Sequence, residues 1–300
     1  MFKTIMSLLL FIGFFPSQAL AQNEYIEYYN LVNEANRSWY EKKYAQSLKI
    51  FQEAFEKVDY VHSINYVKAA RSAAKLKEYE LAKVYILEAI ERGHPGDFVD
   101  QKAFKKFRRS DAYGGLLSQI NKFQSEANLS INNEYQRKID SLYYIDQKIL
   151  RGNDKITDLN LDPDLEYSDS LNFSCLLSLI ELYGFPSEQN IGFHGYRKSW
   201  VVIHHSARLP ENHYYHPILL EYLKRGEYLP ENYCWVVDQG KEINKEDLIY
   251  YHWDVAKNID ELSVDEKESI NRRRMEVGMP VIDRIEVVKK SNLKTNKVRW

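Results

Sequence analysis

The chain reads as a mainly α protein, with α-α hairpin repeats first and then a second, mostly helical domain holding at most a small β-hairpin. Two observations predict this. Ala35, Tyr44, Phe51 and Ala54 recur 35 residues later as Ala70, Tyr79, Ile86 and Ala89, and Ser47 recurs as Ala82. A small-residue register repeated at that period marks stacked helix–turn–helix units. Beyond residue 134 the apolar residues fall mainly at helical spacing, and no stretch alternates strictly for long.

In chain order, residues 1–21 read as a secretory signal peptide. Lys3 is its positive start, Met6–Phe15 its apolar run, and Ala19-Leu20-Ala21 a small-x-small cleavage site before Gln22. The run is too short to span a bilayer, and no later segment reaches the roughly 20 apolar residues a span needs. The expectation is an exported protein, periplasmic or secreted, with no stable membrane insertion after cleavage.

Residues 24–127 are expected to form the repeat domain. Tyr25–Tyr40 and Tyr44–Val58 make the first helix pair, and Ser63–Leu76 and Tyr79–Arg92 the second. Gly93-His94-Pro95-Gly96 stops the second pair. Residues 97–127 are assigned a degenerate third pair, because an array needs about three units to enclose a core. Its apolar faces are Phe98, Phe104 and Phe107, then Leu116, Leu117, Ile120 and Phe123. The small residues Ala35, Ser47, Ala70 and Ala82 with Tyr44 and Tyr79 resemble tetratricopeptide repeats over residues 28–96, although Ala35 and Ala70 replace the usual glycine. That resemblance implies a surface for a protein partner.

The polar stretch Ser125–Asn133 is taken as the domain boundary, and residues 134–300 as the second domain. Tyr135, Ile139, Leu142, Ile145 and Ile149 continue a helix, and Gly152–Ser168 reads as a loop. Helices follow at Leu171–Tyr183, Trp200–His205, Pro217–Lys224, Glu231–Val237 and Asp265–Val277, with a hairpin allowed around Asp238–Tyr251 on a Gln239-Gly240 turn.

Composition restricts function. A formal charge of −2 in 300 residues leaves no basic excess for nucleic acid. The basic run Lys105–Arg109 is read as a solvated helix face, and most of the 23 tyrosines as helix core. Cys175 and Cys234 lie in apolar runs and read as buried thiols, with a disulfide as the alternative in an oxidising compartment.

The polar residues of the second half carry whatever chemistry exists. Asp146, Gln147, Arg151, Asp169, Asn172 and His205 each sit at the end or on one face of an apolar helix, and are expected to meet. Asp169 is also read as a helix cap. Asp146-Gln147-x3-Arg151, Asp169-x2-Asn172, Tyr183-Gly184-x-Pro186, Gly192, His205 and Asp238 resemble the motifs of an uncharacterised bacterial family, over residues 134–282. Gln239 stands where that family has arginine, and Tyr250-Tyr251-His252 replaces its YGTQ segment. The resemblance implies no activity.

Metal binding through His213, His216 and Asp238 lacks a recognised ligand pattern, so no metal and no cofactor are expected. Ser206 has no nucleophile elbow around it. Two functions remain. The first is a binding protein that meets a protein partner through its repeats. The alternative is a cell-envelope hydrolase with His205 as base and Asp146 or Asp238 as its orienting carboxylate. An open cleft among these residues favours the enzyme, and a closed, mutually bonded cluster favours binding.

Overall fold

The computed structural model describes residues 15–152, 163–252 and 262–282, with side chains other than those of residues 15–23, 149–152, 163–166, 210 and 211. It is mainly α, with no strand among the described residues. Helices α1 (Phe15–Tyr40) and α2 (Tyr44–Phe55) pair, and α3 (Ser63–Leu76) and α4 (Tyr79–Glu91) repeat the arrangement. Most of the signal-peptide stretch, residues 1–14, lies outside the described residues.

The period of 35 reappears in three dimensions. Ala35, Ser47, Phe51 and Ala54 are fully buried, and so are Ala70, Ala82, Ile86 and Ala89. Small side chains let the helices approach, and Ser47 Oγ meets Ser72 Oγ at 3.0 Å across the α2–α3 contact. Both turns end alike. Lys42 (φ 63°) and Lys77 (φ 67°) are left-handed. Lys43 N–H bonds Ser38 O, and Glu78 N–H bonds Ala73 O, in equivalent six-residue loops.

The expected third pair is replaced. Three short 3₁₀ turns cover Asp97–Arg109, and a single long helix, α5 (Asp111–Ser130), packs on α4. Phe104 and Phe107 are three residues apart, the 3₁₀ period, and both are fully buried. Leu117 is exposed. The basic run is no helix face: Arg108 donates to the carbonyls of Val99 and Gln101.

Helix α5 ends at Ser130, inside the polar stretch Ser125–Asn133. Then follow α6 (Asn133–Gly152), α7 (Pro163–Tyr183), α8 (Glu188–Ser206), α9 (His216–Lys224), α10 (Pro230–Ile243) and α11 (Val264–Glu276). Two expectations fail here. Pro163–Ser168 is helix, with Pro163 at the first helical position, where its missing N–H costs nothing. The hairpin is absent, because α10 carries Gln239 and Gly240 within it. Cys234 is buried but Cys175 is exposed, and both are free thiols.

One continuous cluster of buried side chains runs from Tyr28 to Met279 and includes residues of both halves. Polar contacts tie the halves together. Glu188, only 2 % exposed, accepts the Ser63 N–H at 2.6 Å and so satisfies the open N-terminus of α3. Tyr60 Oη also donates to Glu188. Asn33 donates to Gly278 O at 2.7 Å, and Tyr29 Oη to Tyr228 O. Gly278 (φ 73°) leaves room for this seat, since a Cβ there would lie 2.5 Å from Tyr29 Cβ.

His94 sits between Phe98 and Phe193 with ring centroids at 4.7 and 4.5 Å, joining the end of α4 to α8. Burial pushes its pKa down from 6.5 to about 4, despite the opposing pull of Glu188 and Asp97. The unfolded chain therefore takes up this proton first. Stability present above pH 6.5 is lost as pH falls toward 4, by up to about 3 kcal/mol. Urea midpoints measured across that window should fall less in His94→Gln than in the wild type. Parallel curves would remove His94 from the acid response.

Candidate functional site

Helix α6 presents Tyr135, Ile139 and Leu142 to the interior, and the next position of that stripe is Asp146, 3 % exposed. The neighbouring Ile145 faces out at 45 %. A carboxylate thus takes the place that helical periodicity reserves for an apolar side chain. Helix α7 does the same, placing Asp169 and Asn172 inward, one turn apart and above buried Phe173 and Leu176. The last turn of α8 contributes His205.

These three helices bring Asp146, Asp169 and His205 together, with ligand-type atoms all within 4.8 Å of one another. His205 Nδ1 lies 2.6 Å from Asp146 Oδ1. Gln147 Nε2 donates to the other oxygen, Asp146 Oδ2, at 2.9 Å. Asp169 does not cap α7 but lies within it, where its Oδ2 accepts from Arg208 Nη1 at 3.0 Å. Burial raises the Asp169 pKa; Arg208 and His205 pull it back, and Asp146 adds to the rise. Asn172 Nδ2 is buried without a hydrogen-bond partner. Arg151 belongs to the last turn of α6, but its side chain lies outside the described residues.

Arg208, the cation of this cluster, was not among the residues singled out from the sequence. It follows the end of α8 in a turn without periodicity. Its signal was indirect: two inward carboxylates in a low-dielectric site call for a cation nearby.

Asp238 is placed differently. It is fully buried in α10, where Oδ1 accepts from the Ile249 and Tyr250 N–H groups and Oδ2 from that of His252, at 3.0, 2.9 and 2.7 Å. The carboxylate bonded to His205 is that of Asp146. His216 Nε2 pairs with Asn212 Oδ1, and Asn212 donates to the buried Ser206 Oγ. Ser206 donates in turn to Ile203 O and has no exposed face. Among the described residues the metal-type group is Asp146, Asp169 and His205. His204 stacks on Trp200 at 5.3 Å, and burial, with His205 and Arg208 adding to the effect, lowers its pKa to about 3.

A separate groove of about 180 Å³ lies where α1 and α3 meet the segments around Leu229 and Gly278. Asn33, Asn65, Lys68 and Glu231 supply its polar edge.

Comparisons of the chain with protein-family models, with curated proteins and with solved structures return no match. The class that the fold defines is a mainly α protein built on adjacent helical hairpins. No helix among the described residues is long and apolar enough to cross a membrane.

Proposed function

We propose that this chain is an exported binding protein, periplasmic or secreted, whose tetratricopeptide-like hairpins engage a protein partner. The closure of the polar cluster carries this reading. Asp146 is engaged by His205 and Gln147, Asp169 by Arg208, and Asp238 by three backbone amides. No carboxylate of the set is left free beside an open cleft, which an acid–base site requires.

Helix α1 already holds the chain's own Tyr228, Met275 and Gly278 carbonyls. A partner therefore meets other positions of the hairpins, and Val84 of α4 and Leu117 of α5, 46 % and 53 % exposed, are apolar side chains open to one. Photo-crosslinkers at positions 84 and 117, in the full chain expressed in its own cell envelope, should trap one partner that a crosslinker at Asn33 does not. The trapped chain should begin at Gln22. Equal labelling at all three positions, or an intact Met1, would sink the proposal.

The envelope hydrolase is the second reading, supported by the 2.6 Å bond between His205 and Asp146, which would orient an imidazole base. His205→Asn separates the two. It abolishes release of envelope material if the chain is a hydrolase, and leaves partner trapping unchanged if the chain only binds.

A further inference from the structure

We propose that Asp146, Asp169 and His205 form a three-ligand site for a divalent transition-metal ion, with Zn²⁺ the best match. One ligand comes from each of α6, α7 and α8, and each is buried on a helix face. Helical placement matters because a metal site needs ligands held to within a few tenths of an ångström. Two carboxylate oxygens and one imidazole nitrogen, leaving a coordination position open, suit zinc. The imidazole argues against magnesium, and three ligands are too few for calcium.

The support around the ligands is what distinguishes this group from three polar residues that merely meet. Each carboxylate has one oxygen fixed from outside: Asp146 Oδ2 by Gln147, and Asp169 Oδ2 by Arg208. The other oxygen of Asp146, Oδ1, lies 2.6 Å from His205 Nδ1, a hydrogen bond that a metal ion would replace with a bond to each atom, and Asp169 keeps its own second oxygen for the centre of the cluster. Ligating carboxylates are held in this way by outer partners.

Asn172 adds an independent observation. It is 3 % exposed, lies one turn from Asp169 on the same inward face, and its Nδ2 has no partner. A buried amide donor left unpaired is costly. A water or an acceptor group in the metal's open position would satisfy it.

The test uses the full chain after chelator treatment. Co²⁺ serves as a visible substitute and is then displaced by Zn²⁺, with Mg²⁺ as the negative arm. The expected result is saturable binding at one ion per chain, with a d–d absorption band that Zn²⁺ removes and Mg²⁺ does not. His205→Asn and Asp169→Asn should abolish the band while circular dichroism stays helical. His213→Ala should leave it intact. Gln147→Leu should weaken binding about 10–100-fold, as loss of an outer partner does. If the ligand variants fail to fold, X-ray absorption on the zinc-loaded wild type decides. One imidazole among oxygen ligands supports the site; no imidazole, or two, overturns it. A wild type that shows no saturable Co²⁺ band overturns it as well.

Discussion

Asp238→Ala should cost about 3–5 kcal/mol of stability, the range found when one partner of a buried charged network is removed. The carboxylate is fully buried and receives three backbone amides from Ile249, Tyr250 and His252. On the same segment Arg274, 1 % exposed, donates to Tyr250 O and Tyr251 O, and its Nε reaches Pro280 O at 2.6 Å. The acid takes the N–H groups and the base takes the carbonyls, so together they fix a strand-free stretch that cannot satisfy its own backbone. Burial raises the Asp238 pKa even though the three amides and Arg274 oppose it. Asp238→Asn keeps the shape but turns an NH₂ group toward donors, and should lose less than alanine. Urea melts followed by circular dichroism measure both. As a control, Glu246→Ala, which removes a surface pairing with Lys241, should stay within about 0.5 kcal/mol of wild type. An alanine variant that matches this control would show that the segment is held by packing alone.

The physics of each element explains how much of it could be read from sequence. The hairpins were legible because Ala35/Ala70 and Phe51/Ile86 repeat the same packing environment, and packing leaves a register in the chain. Their left-handed turn residues were not, since Lys42 and Lys77 lack the glycine that usually advertises such a position. The segment 97–109 was misread because Phe98, Phe104 and Phe107 look apolar and helical while their spacing also fits short 3₁₀ turns. Gln239-Gly240 carries a turn signal that the burial of Val236, Val237 and Asp238 on one helix overrides.

The candidate site was half legible for the same reason. Asp146 continues the stripe of Tyr135, Ile139 and Leu142, so a polar residue at an apolar register position marks itself. Asp146 and His205 are 59 residues apart, and the groups joined by three helices show no ligand spacing of the kind that short metal motifs display. Asp238 shares the register signal but spends it on a backbone segment that follows it by 11 to 14 residues. Register tells which polar groups are inward. It does not tell which neighbour each one meets.

Arg208→Ala should be nearly as damaging as Asp238→Ala, and its dependence on Asp169 makes it the sharper experiment. The two side chains are 11 % and 4 % exposed and 3.0 Å apart. Removing the guanidinium leaves a buried carboxylate beside Asp146 without its bonded cation, at a cost of about 3–5 kcal/mol at pH 7. Asp169→Asn removes the charge that needed the cation, so Arg208→Ala in that background should cost less than in the wild type. The interaction term of the double-mutant cycle should fall in the range of about 0.5–3 kcal/mol. The pH dependence has a definite sign. The Asp169 pKa is already raised by burial, and loss of Arg208 raises it further. In the variant the folded state binds the proton at a higher pH than the unfolded chain does. The variant's deficit relative to wild type should therefore shrink as pH falls from 7 toward the unfolded carboxyl value near 4. Strict additivity, with a deficit that does not change with pH, would mean that the carboxylate and the guanidinium touch without depending on each other.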